Sequence, residues 1–546
     1  MSFFQLFRRE MQGSLPRLTF MSVLGGLSNA AILVAVNAGA QAAADGASSL
    51  SSAVLFTVSL VVFIKTQNYI LITSTVEMEA IIHRLRVRLM DEVRHSELLA
   101  LDAIGRADIV AAITKETSIL AQATNMLAFA GQGIVLIFFV AIYVAYLSTT
   151  AFALAVVIVG GAAALYHAKG GKLATGAREA SERENRLFDR LADLLDGFKE
   201  VRLNRSRSAH LFDDIEEVSR TAANLKIRTQ SEAYKRMIFA QGSTYLLLGA
   251  VVFVVPAFSA TFGATISKTA TALLYAVGWC FGLVQTIPVL AAANAAVDNI
   301  ERIEAKLRAA VVAEDGTAAQ TDHFNTIEMR GIVFRYVDKS AEAVYQVGPL
   351  DFILRSGDLV FVTGGNGSGK STFLKLLAGL YKPELGEITL DGMRVDDRNV
   401  ESYRALITAI FTDYHLFRRL YGIPDPNPRE VDRLLTEFQL LDKTQLVDGE
   451  FASLDLSGGQ RKRLALVVSL MEKRPILLLD EWTADQDPGF RRKFYDDLLP
   501  TMKKAGLTVV AVTHDDRHLD ELKLAARRFH MEDGRFVGQQ TVENDR

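Results

Sequence analysis

The 546-residue sequence predicts two units of different class: a membrane all-α domain of six helices, followed by an α/β domain built around a phosphate-binding loop. Three observations predict this. Six long apolar stretches crowd the first 300 residues. The segment "DLVFVTGGNGSGKSTFLKLLAGLY" then reads as a strand, a glycine-rich loop and a helix. Two later apolar strands, "PILLLDEW" and "LTVVAVTHD", end in acids and a histidine. The length alone exceeds one compact core. The expected division is 1–308 for the membrane part, 309–322 for a linker ("AAVVAEDGTAAQTD"), and 323–546 for the nucleotide-binding part.

A bilayer core about 30 Å thick needs roughly 20 mostly apolar residues per helix. Leu18–Gln41, Ser52–Thr73, Asn125–Leu147, Ala151–His167, Phe239–Gly263 and Thr269–Ala292 meet that length or approach it. The N-terminus lacks a compact apolar core followed by a small-residue cleavage site, so a retained first helix is expected rather than a signal peptide. The connections after the first and third stretches carry no Lys or Arg, and the one after the fifth carries only Lys268. By contrast, Ser74–Thr124 holds six Lys/Arg and Ala168–Ile238 holds fifteen. The positive-inside rule then places both long loops, both termini and the nucleotide-binding part in the cytoplasm. Both long loops show apolar residues at helical spacing, so the membrane helices are expected to continue into the cytoplasm. Contacts to the cytoplasmic domain are expected at their turning points, Gly105–Thr117 and Asp196–Ser206. Lys65 interrupts the second stretch, and a charge there must face a cavity or snorkel to the interface. Trp279 and Gln285 in the sixth stretch are weaker cavity candidates, and ordinary helix packing is the favoured account of both. The net charge of −3 gives no sign of nucleic-acid binding. A single cysteine, Cys280, excludes a disulfide within the chain, which fits a reducing compartment for the soluble parts.

In the second half, G-x-x-x-x-G-K-S spans Gly364, Gly365, Asn366, Gly367, Ser368, Gly369, Lys370 and Ser371, with Thr372 following. Glycines let the backbone wrap closely, and its N–H groups point at phosphate oxygens together with the helix N-terminus. Lys370 is expected at the β- and γ-phosphates of ATP and Ser371 on Mg²⁺. Asp480 ends a strand, placed to hold Mg²⁺. Glu481, one residue on, is placed to orient the attacking water or take its proton. His514, at the end of the next strand, is expected to face the γ-phosphate.

Between these strands Leu456–Gln460 spell LSGGQ, the signature of ATP-binding cassette (ABC) ATPases. With the phosphate loop, "ILLLDE" and His514 in that order, the second half resembles an ABC nucleotide-binding domain throughout. Six membrane stretches ahead of one cassette make the whole chain resemble an exporter-type ABC half-transporter. The resemblance implies ATP hydrolysis coupled to transport by two chains, a homodimer in the simplest case. Each chain would lend Ser457, Gly458, Gly459 and Gln460 to the ATP held by the other. It also implies an aromatic residue stacked on adenine, which "VFRY" offers as Tyr336, although a strand tyrosine is ordinary in itself. In the family a glutamine normally faces the membrane part and the metal. Here Thr412 stands at that place, shorter but still able to approach Mg²⁺. The loop after the glutamate also departs from the family's D-E-P-T-S-A-L-D, reading "DEWTADQD", which leaves the role of Asp487 open.

"FTDYHLF" and "DEWTADQDP" further resemble the bacterial cyclic-peptide exporters, including those that move the pyoverdine precursor in siderophore pathways. That implies export of a peptide or lipopeptide across the inner membrane to the periplasm. A multidrug or lipid exporter or flippase is the alternative. No N-terminal peptidase segment is seen, so leader processing in cis is not expected.

Overall fold

The computed structural model describes residues 3–11, 15–47, 49–168, 179, 183, 186–188, 190–258, 265–310, 323–337, 343–423, 425–514, 518–519 and 524–542. Two compact units are present. One comprises Met1–Arg94 with Ile104–Lys306, and the other His95–Ala103 with Leu307–Arg546. Most of the expected linker, 311–322, lies outside the described residues.

In chain order the helices of the first half are α1 (Phe3–Glu10), α2 (Leu15–Ala44), α3 (Leu50–Arg94), α4 (Leu98–Ile104), α5 (Arg106–Ala111), α6 (Thr117–Leu147), α7 (Thr149–Ala168), α8 (Phe198–Leu203), α9 (Arg205–Phe253), α10 (Val255–Phe258) and α11 (Ile266–Ala309). Among the described residues five runs are long and apolar enough to cross a membrane: α2, α3, Arg106–Leu147, α9 and α11. The described apolar part of α7, Thr149–Ala164, is shorter. Five of the six expected stretches lie inside single helices. The other, Phe239–Gly263, is interrupted at Val254, between α9 and α10, and its residues 259–263 lie outside the described set. Pro256 sits two residues past the break, and its missing N–H removes an intrahelical bond there.

The 45 residues of α3 and the 49 of α9 reach well beyond a bilayer. At 1.5 Å per residue each runs on the order of 70 Å. Along its N-terminal half α3 exposes Val54, Val58, Val61 and Ile64, an apolar surface suited to lipid. Lys65 is exposed on the same helix. Inside the bundle, helices approach where side chains are small. A Cβ on Gly282 of α11 would lie 2.2 Å from the Phe129 ring of α6. One turn earlier Trp279 stacks on Phe129 at 4.6 Å, so Trp279 is a packing residue.

The second unit contains β1 (Thr326–Val337), β2 (Ala343–Arg355), β3 (Leu359–Thr363), α12 (Lys370–Leu377), β4 (Leu385–Leu390), β5 (Met393–Arg394), α13 (Val400–Ala405), β6 (Ile407–Ile410), α14 (Pro428–Glu437), β7 (Leu446–Val447), β8 (Glu450–Phe451), α15 (Gly458–Met471), β9 (Ile476–Asp480), α16 (Pro488–Lys493), α17 (Leu499–Lys504), β10 (Thr508–Val512), β11 (Ala526–Glu532) and β12 (Arg535–Val542). A four-stranded antiparallel sheet has the order β2-β1-β4-β5, and a six-stranded sheet the order β12-β11-β3-β10-β9-β6. In the second sheet β11, β3, β10, β9 and β6 run parallel. Parallel strands covered on both faces read as unbroken apolar runs. Their alternation divides two cores: Leu359, Phe361, Leu477 and Leu479 face one, while Val360, Val362, Ile476 and Leu478 face the other.

Residues His95–Ala103 group with the second unit, and the chain returns to the first unit at Ile104. Leu98 and Leu99 pack on the cluster that also carries Tyr336 and Tyr381, and the Glu97 N–H donates to the Ala310 carbonyl at 3.1 Å.

Candidate functional site: a nucleotide cradle at the ends of three strands

The parallel register aligns β3, β10 and β9, pairing Val362 with Val512 and Val512 with Asp480. Their carboxyl ends therefore open on one edge, where α/β sheets bind ligands. The glycine loop leaves β3 at this edge. Gly364 adopts φ +143°, and a Cβ there would lie 2.1 Å from the Met531 carbonyl oxygen, so only glycine fits. Gly369, also at positive φ, caps α12. Gly365, Asn366 and Gly367 are exposed along the loop. The Lys370 ammonium is buried and donates to the carbonyls of Gly364 and Gly365 at 2.9 and 2.7 Å. Burial pulls its pKa down, while Glu481 and Asp480 oppose that shift. The Ser368 hydroxyl is buried and has no hydrogen-bond partner among the described residues. A lysine over bare carbonyls and an unfilled hydroxyl in a glycine cradle fit the oxygens of a triphosphate.

The metal candidates meet beside it. The Ser371 hydroxyl donates to Asp480 Oδ1 at 3.1 Å, and the Thr412 hydroxyl donates to Asp480 Oδ2 at 3.2 Å. Thr412 thus stands at the carboxylate despite its length. Burial raises the Asp480 pKa, with the Glu481 charge adding to it, while the two hydroxyl bonds oppose. Hard oxygen donors on a buried carboxylate fit Mg²⁺.

Glu481 follows with φ +48° and ψ +38°, a left-handed conformation that costs a non-glycine residue about 1–2 kcal/mol. Its N–H donates to the Val512 carbonyl at 3.1 Å. Its Oε1 lies 3.0 Å from His514 Nε2, so the two expected catalytic residues are in contact. Tyr336 does not stand free. Its hydroxyl meets Thr372 Oγ1 at 3.1 Å, and its ring lies edge-on to Phe334 and Tyr381. Opposite it in the register, Tyr345 donates its hydroxyl to the Gly367 carbonyl at 2.8 Å. The sequence reading missed Tyr345; the signal was its place across the strand pair from Tyr336.

The signature turn opens α15. Ser457 accepts from the Gln460 N–H at 3.4 Å, and the Gln460 side chain accepts from the Ser457 N–H at 3.0 Å, which makes a capping box. Ser457 and Gly458 are exposed. No hydrogen bond or ion pair among the described residues joins Ser457–Gln460 to the chain's own glycine loop. The departing segment "WTADQD" is structural in an unexpected way. Trp482 is fully buried, 4.6 Å from the Phe494 ring, and its indole N–H donates to the Lys462 carbonyl. Asp487 caps α16 through the Phe490 N–H at 2.9 Å and pairs with Arg463.

Residues 347–484 match the family described as ABC transporter. The chain is 32% identical over 551 residues to the ATP-binding protein SyrD of Pseudomonas syringae pv. syringae, covering 97% of this chain and 95% of that protein. The chain belongs to the ABC transporter family. The cassette portion of this ABC transporter is also similar to the energy-coupling factor transporter ATP-binding protein EcfA1 of Streptococcus mutans, 30% identical over 38% of this chain and 76% of that protein. A solved bacterial Atm1-family ABC exporter with ATP bound shares the fold, with a TM-score of 0.75 at 19% identity, over 97% of this chain and 95% of that one. The ABC transporter therefore binds ATP with Mg²⁺ and couples its hydrolysis to transport across a membrane.

Proposed function

We propose that this ABC transporter exports a peptide or lipopeptide, such as a cyclic peptide or siderophore precursor, from the cytoplasm to the periplasm as a pair of identical chains. The observation that carries the chemistry is the single strand edge that gathers Lys370, Ser371, Thr412, Asp480, Glu481 and His514. Lys370 and the loop N–H groups hold phosphates, and Ser371, Thr412 and Asp480 hold Mg²⁺, which supplies charge neutralisation at the reacting oxygens. Glu481 orients a water and accepts its proton, and His514 fixes the glutamate's Oε1. Tyr336 stacks on the adenine. Ser457, Gly458, Gly459 and Gln460 face the nucleotide of the second copy, so one chain does not complete a site. Residues 1–308 lie in the inner membrane by this reading, 309–322 link, and 323–546 hydrolyse ATP, with both termini cytoplasmic. The two basic loops support that orientation. Nucleotide binding acts as a ligand with unequal affinity for two helix arrangements.

The cargo class rests on "FTDYHLF" and "DEWTADQDP". Its test is the ATPase rate in proteoliposomes with an acylated cyclic peptide, set against lipids and cationic drugs. Stimulation by the peptide alone is expected. Stimulation only by lipids or drugs overturns the cargo assignment in favour of a multidrug or lipid exporter.

A further inference from the structure

Lys462 lies one turn into α15, and its side chain is 6% exposed. A buried ammonium is tolerated only when paired and hydrogen-bonded. Both partners come from the segment after β9. Its Nζ donates to the Glu481 carbonyl oxygen at 2.9 Å and pairs with Asp485 Oδ2 at 2.7 Å. Asp485 closes the short turn Trp482–Asp485, whose Ala484 N–H also donates to the Glu481 carbonyl, at 3.3 Å. Trp482 in turn donates to the Lys462 carbonyl at 2.9 Å. Lys462 therefore grips both ends of the turn that holds Glu481 in its left-handed conformation.

The same helix begins with the signature turn, and that turn is stitched to the same segment. The Gln486 amide donates to the Gly459 carbonyl at 3.1 Å, and a Cβ on Gly459 would lie 2.6 Å from the Asp485 carbonyl oxygen. Arg463, next to Lys462, donates to Gln486 Oε1 at 2.8 Å. The signature turn and the Glu481 backbone are thus joined through one continuous set of contacts.

We propose that Lys462 is a positioning residue for hydrolysis: through the Glu481 carbonyl and Asp485 it fixes the backbone that aims the Glu481 carboxylate, and it ties that aim to the signature turn. This rests on the reading of Glu481 as the carboxylate that takes the water's proton. Binding of nucleotide at Ser457 then sets the geometry of the chain's own glutamate, and water is activated only when the signature turn is engaged.

The test uses the full chain in lipid nanodiscs, with Lys462→Met, Asp485→Asn and Glu481→Gln compared against the unaltered protein. The readouts are kcat, KM for ATP and the number of sites that bind a fluorescent ATP analogue. Lys462→Met is expected to lower kcat on the order of tenfold to a hundredfold, with KM within about twofold and full site occupancy. Asp485→Asn keeps the side chain's size and is expected to lower kcat in the same direction, which keeps the test open where the lysine variant folds poorly. A role in folding alone lowers kcat in proportion to the number of sites, and that result overturns the proposal. Unchanged kcat in both variants, with Glu481→Gln inactive, overturns the proposal and leaves the glutamate's role standing. Turnover by Glu481→Gln at the unaltered rate overturns that role and the proposal with it.

Discussion

Asp480 is a carboxylate that burial pushes toward its neutral form while two hydroxyls hold it ready for a cation. The sign of its effect follows from linkage. A folded-state pKa above the unfolded one means that the folded chain binds the proton more tightly, so stability falls as pH rises. The contribution is complete below the ordinary carboxylate range and is lost as pH climbs through the raised value. For the nucleotide-free protein, Tm is therefore expected to rise as pH is lowered through that window. Asp480→Asn should flatten this limb of the Tm profile, and an unchanged limb would assign it to other groups. One residue on, Glu481→Gln keeps the shape of the side chain and removes the proton acceptor. We expect it to retain ATP tightly and to lose turnover by at least about a hundredfold, the lower range for general-base loss, measured as phosphate release per bound nucleotide. These two acids, the loop and His514 were legible in the sequence because the phosphate-loop spacing and strand ends fix them locally. Lys462 and Asp485 were not. Their pairing spans 23 positions, and only the packing of α15 against the turn Trp482–Asp485 brings them together.

At the scale of elements, the replacement of the family's proline by Trp482 is a packing substitution with consequences for the site. The ring is 1% exposed against Phe494 and Phe490, and its N–H is spent on α15. Trp482→Ala would leave a cavity and free that carbonyl, a loss of about 3–5 kcal/mol. The expected readout is a drop of the cassette's denaturant midpoint at unchanged m-value, and a midpoint within error of the unaltered protein would show that the pocket collapses. Trp482→Phe should recover most of the packing but not the hydrogen bond. The membrane helices were readable from apolar runs alone, since composition over roughly 20 residues decides burial in lipid. The break at Val254 was passed over, although Pro256, which cannot donate within a helix, was its signal in the sequence.

For the whole molecule, the exposed signature turn and the glycine loop belong to one chain yet share no hydrogen bond or ion pair among the described residues, which makes the pairing of chains a question of complementation. Lys370→Ala disables the loop, and Ser457→Arg blocks the signature turn, an exposed position where the added bulk meets solvent in the single chain. Put Lys370→Ala in one chain and Ser457→Arg in its partner. If sites form between chains, the loop of the second meets the signature turn of the first, and one intact site survives. If each chain builds its own site, neither survives. Placing both substitutions in one chain beside an unaltered partner reverses the outcome, destroying both shared sites while sparing a self-contained one. With tagged chains purified as mixed pairs in nanodiscs, we expect one trapped nucleotide per pair in the first arrangement and none in the second. The opposite pattern would mean that each cassette closes on its own nucleotide, and the long helices α3 and α9 would then answer to a single chain's chemistry rather than to the clasp of two.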